Sequence, residues 1–139
     1  MCAGTVYVPK VDAALEDALV GYWKFDEVSG TISYDSSGHG NNGSFVGTPD
    51  ISTTVPTLEV TNVRSLDFNG STDYVTMGDQ SILEVEDGPF SISLWFRPDG
   101  APGPEASWVF VAKGTPSSAG YAFQYEQVGG QYVINISKY

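Results

Sequence analysis

Two short runs near the C-terminal end, Tyr121–Gln127 and Gln131–Ser137, lie on either side of the dipeptide Gly129-Gly130. In the first run Tyr121, Phe123 and Tyr125 alternate with Ala122, Gln124 and Glu126. Alternation with period two sends one set of side chains to each face of a β-strand. A two-residue hairpin turn needs backbone with φ > 0, which glycine accepts without steric cost, so Gly-Gly at this point predicts an antiparallel hairpin.

The same period recurs along the chain. In Leu19–Phe25, Leu19, Gly21, Trp23 and Phe25 share one face, and in Phe90–Arg97, Phe90, Ile92, Leu94 and Phe96 alternate with Ser91, Ser93, Trp95 and Arg97. Shorter strand patterns fall at Thr31–Tyr34, Ser44–Gly47, Arg64–Phe68 and Asp73–Met77. Ser107–Ala112 is nearly continuous apolar sequence, the pattern of a strand covered on both faces. The turn Asn69-Gly-Ser-Thr72 predicts that Arg64–Phe68 and Asp73–Met77 pair as a hairpin. Thr48 to about Asn62 is a polar, proline-bearing surface excursion, Ser81–Val85 a short turn or helical element, and Pro98–Glu105 a proline-rich loop.

These patterns amount to about nine short strands. Val11–Ala18 is the one helix-friendly stretch, too short to stand alone, and Thr5–Val8 is a candidate edge strand. A parallel sheet needs crossover helices, which the pattern does not supply. The expected fold is therefore all-β, an antiparallel two-sheet β-sandwich of jelly-roll type, with residues 1–18 as lead-in and 19–139 as one domain.

Hydrophobic residues make up 41% of the 139, enough for a core, and Asp plus Glu outnumber Lys plus Arg by 17 to 6. A net charge of −11 leaves no basic cluster to meet phosphates, which excludes nucleic acid as the expected partner. Cys2 is the single cysteine, and no Cys/His constellation offers a zinc site. No run of about 18 apolar residues suggests a membrane span. Asn42, Asn69 and Asn135 each open an N-x-Ser sequon, a lean towards an extracellular or cell-surface location.

Asp35-Ser-Ser-Gly-His-Gly-Asn-Asn-Gly43 consists of turn formers with no apolar side chain. Asx side chains here can cap their own backbone, making a tight surface turn, or can aim oxygens at a hard cation such as calcium. His39 is expected to be a solvated loop residue. Glu84-Val-Glu86-Asp87 puts two carboxylates on one strand face but lacks a third acid and aromatic walls, so glycoside hydrolysis is not expected.

Five blocks, taken in order, resemble the laminin-G-like jelly-roll branch of the concanavalin A-like lectin/glucanase superfamily. They are Leu19-Val-Gly-Tyr-Trp-Lys-Phe-Asp-Glu27 with Ser29-Gly30, Asp35-Ser-Ser-Gly38 with Gly40-Asn-Asn-Gly43, Ser65-Leu-Asp-Phe-Asn-Gly70, Asp73-Tyr-Val75, and Phe90-Ser-Ile-Ser-Leu-Trp-Phe-Arg-Pro98. The resemblance spans roughly residues 19 to 113 and implies a noncatalytic extracellular module that binds glycan or protein. It implies structural calcium at Asp35 and Asn42, with Asp26 and Asn41 next and glycine carbonyls completing the shell. Trp23, Phe25, Leu66, Phe68, Ile92 and Leu94 would fill the space between the sheets. The family's Trp-His-His-Val-Ala strand and later Asp-Gly hairpin do not occur, so the chain corresponds to about the first two-thirds of such a domain.

Sugar recognition uses exposed aromatics beside polar groups, for which Trp108, Tyr121, Tyr125 and Tyr132 are the candidates, although aromatics at strand spacing are as a rule core. Ile134-Asn-Ile-Ser-Lys-Tyr139 closes the sequence directly after a strand, and an unpaired edge there invites self-association. The alternative function is accordingly a structural or surface protein that assembles through open β-edges.

Overall fold

The computed structural model describes residues 18–57, 62–84, 88–103, 106–114 and 120–138. The described chain is β-rich and every pairing is antiparallel. Eight strands lie within it: β1 (Ile32–Ser33), β2 (Gly43–Val46), β3 (Asp50–Ser52), β4 (Ser65–Asp67), β5 (Tyr74–Thr76), β6 (Ser107–Lys113), β7 (Tyr121–Val128) and β8 (Gln131–Lys138). They form three small sheets, in the orders β1-β2-β5, β3-β4 and β6-β7-β8. One 3-10 turn, Ser81–Leu83, lies where a short helical element was expected. The expectations for Thr5–Val8, nearly all of Val11–Ala18, and Glu86-Asp87 fall outside the described residues.

The hairpin predicted from Gly129-Gly130 is present: β7 pairs β8 along eight residue pairs, from Tyr121↔Lys138 to Val128↔Gln131. Gly129 and Gly130 have φ of 60° and 82°, the two positive values that a type I′ turn demands. β6 joins the other side of β7, with a bulge at Phe110 between the pairs Val109↔Gln124 and Val111↔Phe123.

Four expectations need correction. Leu19–Phe25 is not a ladder strand; its one bridge is Trp23↔Asp35, and Phe25 at φ 56° interrupts the extended backbone. Arg64–Phe68 and Asp73–Met77 do not pair with each other: β4 pairs β3, inside the stretch taken as a surface excursion, while β5 pairs β2. The turn between them is instead folded on its own side chains. Asn69 Oδ1 accepts the Ser71, Thr72 and Asp73 amides, and Asp73 reaches across to accept the Thr48 amide at 3.0 Å. The one long-range bond among these, Asp73 to Thr48, holds the start of β5 beside the end of β2. Phe90–Arg97 joins no ladder among the described residues.

The fourth correction concerns the core. Trp23, Phe25, Leu66 and Leu94 are half-buried, but Phe68 and Ile92 are exposed. Ser107–Ala112 is not covered on both faces either, since Val109 is open to solvent. Among the described residues the buried apolar side chains are only Ala122 and Pro102. Apolar packing instead takes the form of aromatic contacts along one face of β6-β7-β8. Phe96 meets Phe110 with ring centroids 4.2 Å apart, Phe110 meets Phe123 at 5.6 Å, and Phe90 meets Tyr121 at 5.2 Å. Phe90 and Phe96 share the face that their even spacing assigned, so this segment leans on the sheet by side chains without joining its ladder.

Candidate functional site

Three of the four residues assigned to calcium come together, and they do so as a hydrogen-bonded clip. The Asp35 carboxylate accepts the Tyr22 amide (2.9 Å) and the Ser37 amide (2.9 Å) on Oδ1, and the Ser37 hydroxyl (2.8 Å) and the Asn41 amide (3.0 Å) on Oδ2. Asn42 Oδ1 accepts the Asp35 amide at 2.9 Å. Asn41, buried, donates its side-chain amide to the Val20 carbonyl, and its own carbonyl accepts the Trp23 indole N–H, both at 2.8 Å. The Ser36 amide donates to the Tyr22 carbonyl at 2.7 Å. The loop thus holds residues 20–23 against β1 and β2 by polar contacts, which is how that segment stays in place with a single β-bridge. Asp26 has no hydrogen bond to Asp35, Asn41 or Asn42. His39 is exposed, as the sequence suggested.

The electrostatics follow from this geometry. Burial pushes the Asp35 carboxyl up, and the bonds from Ser37, Tyr22 and Asn41 outweigh it, bringing the pKa down to about 2. An ionised carboxylate has roughly four acceptor positions. Four donors already occupy them here, so the set fits a satisfied clip better than a cation shell, which needs those same lone pairs. Among the described residues no group of three or more acidic, histidine or cysteine side chains is arranged to hold a metal ion.

A neighbouring clip was not foreseen. Glu27 Oε1 accepts the Tyr34 amide at 2.8 Å and the hydroxyl of fully buried Ser33 at 3.3 Å, tying the chain after Trp23 to β1. The sequence signal was present in a carboxylate just before the turn at Ser29-Gly30. Without the tertiary fold nothing distinguishes it from a solvated acid.

The aromatic candidates divide. Trp108, Tyr125 and Tyr132 form a row across β6, β7 and β8, with ring centroids 6.2 Å apart for the first pair and 5.7 Å for the second. Register explains the row: Trp108 is opposite Tyr125, and Tyr132 lies opposite Gln127, two residues along the same face. Trp108 and Tyr125 are half-buried, and Tyr132 is 49% exposed. Tyr121 shares that face but packs on Phe90, and burial raises the pKa of its phenol. It also borders a cavity of about 280 Å³ with Trp23, Tyr74, Met77, Leu83 and Lys113. Lys113 crosses from β6 to Asp79 at 2.6 Å and Glu84 at 3.9 Å. Trp95, which alternates with the apolar side of Phe90–Arg97, is 72% exposed.

The opposite face of the sheet is polar. Asn135 and Gln124 both donate to the Glu126 carboxylate, at 2.7 and 3.2 Å, and Ser137 donates to Asn135. The sheet is therefore two-sided in character, aromatic on one face and amide-rich on the other. No family model, curated protein or solved structure matches the chain.

Proposed function

We propose that this chain is a noncatalytic extracellular binding module of the laminin-G-like jelly-roll type, which presents to a glycan the Trp108–Tyr125–Tyr132 end of the aromatic face of β6-β7-β8, away from the part on which Phe90 and Phe96 pack. The observation that carries the reading is the row Trp108–Tyr125–Tyr132, whose outer ring is open to solvent. Pyranose faces stack on aromatic rings, and polar groups beside the rings fix their orientation. Gln127, opposite Tyr132, is such a neighbour. Support for the sandwich comes from the cavity lined by Tyr74 and Thr76 of β5 together with Ala112 and Tyr121 of β6 and β7, where residues of two sheets approach each other.

Calcium belongs to the same proposal only as an addition to the Asp35 clip. An ion there has to displace the Ser37 and Asn41 donors, so the clip is taken to stand without it. A melting temperature that rises in millimolar calcium after chelation would assign the ion.

The binding test is a glycan array followed by titration calorimetry on the strongest hits, using the native chain, Tyr132→Ala and Trp95→Ala. Binding that is lost in Tyr132→Ala and kept in Trp95→Ala supports the platform. An array with no hits, or binding indifferent to Tyr132, overturns it.

A further inference from the structure

We infer that Asn69 is a site of self-modification: the Gly70 amide nitrogen attacks the Asn69 carboxamide, ammonia leaves, and hydrolysis of the cyclic imide places a carboxylate at this position. Asn42, in the same tripeptide, is spared. The inference does not depend on glycan binding, and every contact it uses lies within residues 31–48 and 69–76.

The sequence offers two equal candidates, because Asn42-Gly43-Ser44 and Asn69-Gly70-Ser71 are the same three residues. Asparagine before glycine is the pair most open to this reaction. The second residue has no side chain to hinder its nitrogen, and nucleophile and carboxamide are neighbours along the chain, so a five-membered ring closes. On local chemistry the two asparagines would react alike. The fold separates them.

Asn42 is locked. Gly43 is buried and pairs with Ser33. The Phe45 amide donates to the Thr31 carbonyl at 2.8 Å, and hydrogen-bonded pairs alternate along an antiparallel ladder, so Ser33↔Gly43 is hydrogen-bonded too. The Gly43 nitrogen has to give up that bond before it attacks. A single backbone amide, that of Asp35, meets the Asn42 side-chain oxygen.

Asn69 is open and activated. Gly70 is exposed at φ 69°, a Cβ built on it meets nothing within 4 Å, and no group among the described residues accepts its N–H. Asn69 Oδ1 meanwhile accepts the amides of Ser71 and Thr72 at 2.9 Å and of Asp73 at 3.2 Å. As the Gly70 nitrogen adds to Cγ, negative charge gathers on Oδ1, where three backbone donors already point; oxyanion holes lower barriers by the same arrangement. Asn69 Nδ2 donates to Thr72 Oγ1 at 2.9 Å, which fixes the plane of the carboxamide. The step balances: a bond forms between Gly70 N and Cγ, the Cγ–Nδ2 bond breaks, and the Gly70 amide proton leaves on ammonia. Water then opens the imide to aspartate or, at its other carbonyl, to isoaspartate.

The products undo the turn. Isoaspartate runs the backbone through the former side chain, adds a methylene to it and takes the acceptor away from the three amides. Either product sets a second carboxylate beside Asp73, whose Oδ2 accepts the Asn69 amide at 3.2 Å. Asp73 Oδ1 is also the acceptor for the Thr48 amide, the tie between the start of β5 and the end of β2. Modification at Asn69 therefore loosens the β2–β5 pairing as the chain ages.

The test incubates the native chain at mildly alkaline pH, folded and in concentrated urea, and follows both sites by peptide mapping with fragmentation that separates aspartate from isoaspartate. In urea, where the two tripeptides have no structure to distinguish them, they should convert within twofold of each other. In the folded chain Asn69 should convert at least tenfold faster than Asn42, and faster than it does itself in urea. A smaller ratio between the sites overturns the inference, and so does an Asn69 that is slower folded than unfolded, because the turn then shields the carboxamide. Asn69→Gln, whose side chain would have to close a six-membered ring, serves as the unreactive reference. The urea midpoint of the native chain should fall with incubation while that of Asn69→Gln holds; an equal fall in both, or none in the native chain, overturns the loosening of β2 and β5. Loss of glycan binding in Tyr132→Ala leaves these outcomes untouched, so the two proposals fail separately.

Discussion

Replacing Asp35 tests whether a hydrogen-bonded clip secures the segment before β1. Asp35→Ala leaves two partly buried donors, the Ser37 and Asn41 amides, without an acceptor. Each orphaned donor costs about 1–3 kcal/mol, while the more exposed Tyr22 amide recovers a bond to water, so the loss comes to about 3 kcal/mol. At about 3–5 °C per kcal/mol for a chain of this size, the melting temperature falls by roughly 10 °C. Acid titration supplies an independent measure. The carboxyl pKa drops from 3.8 to about 2 on folding. At 1.36 kcal/mol per pH unit that is about 2.4 kcal/mol, and solvent screening at a partly open site reduces it to about 1–2 kcal/mol. Because the folded value is depressed, this contribution is complete above the unfolded pKa near 4 and disappears as the pH falls towards 2. Asp35→Asn keeps the Oδ1 acceptor but turns Nδ2 towards donors, and it cannot titrate. The native chain should be more stable than Asp35→Asn at pH 6, and the gap should close between pH 4 and pH 2. Urea unfolding at each pH measures it. A gap that is flat with pH, or an Asp35→Ala melting temperature within 2 °C of native, would refute the clip.

Three further outcomes follow from local geometry. A Cβ on Gly21 collides with the Trp23 indole, so Gly21→Ala should destabilise by about 1–3 kcal/mol, detected as a lower urea midpoint with a shifted Trp fluorescence maximum. Gly129 at φ 60° suits Asn as well as Gly in a type I′ turn, whereas a β-branched residue does not fit. Gly129→Asn should therefore change stability by less than about 0.5 kcal/mol, and Gly129→Val should cost about 1–2 kcal/mol in the same assay. Asp50 and Asp67 are directly opposite on β3 and β4, so Asp50→Lys should stabilise by about 0.2–1 kcal/mol at low ionic strength and less in 0.5 M salt.

Local pattern carried the hairpin furthest, because everything it needs is in sequence proximity: two period-two runs and two residues able to take φ > 0. The 3-10 turn at Ser81–Leu83 and the strands β1, β2 and β4 to β7 were legible for the same reason. The aromatic row is partly legible, since Trp108, Tyr125 and Tyr132 were singled out, but only the register of β6 and β8 on β7 separates them from Tyr121. Pairing between strands distant in sequence was not legible. The turn at Asn69–Thr72 has the composition of a hairpin loop, and the Asp73 carboxylate that redirects it finds its partner, Thr48, 25 residues away.

Antiparallel β-structure, the turn chemistry of the Asp35 loop and the acidic character of the chain are fixed by residue type and spacing, since strand period, Asx capping and charge are properties of short stretches. Tertiary structure decided what those stretches are for. It turned Asp35 and Asn41 towards residues 20–23 as acceptors and donor, because neighbouring backbone groups reach these side chains at the cost of little added order. It also brought Trp108, Tyr125 and Tyr132 into one row, because strand order is a global choice that no local pattern encodes.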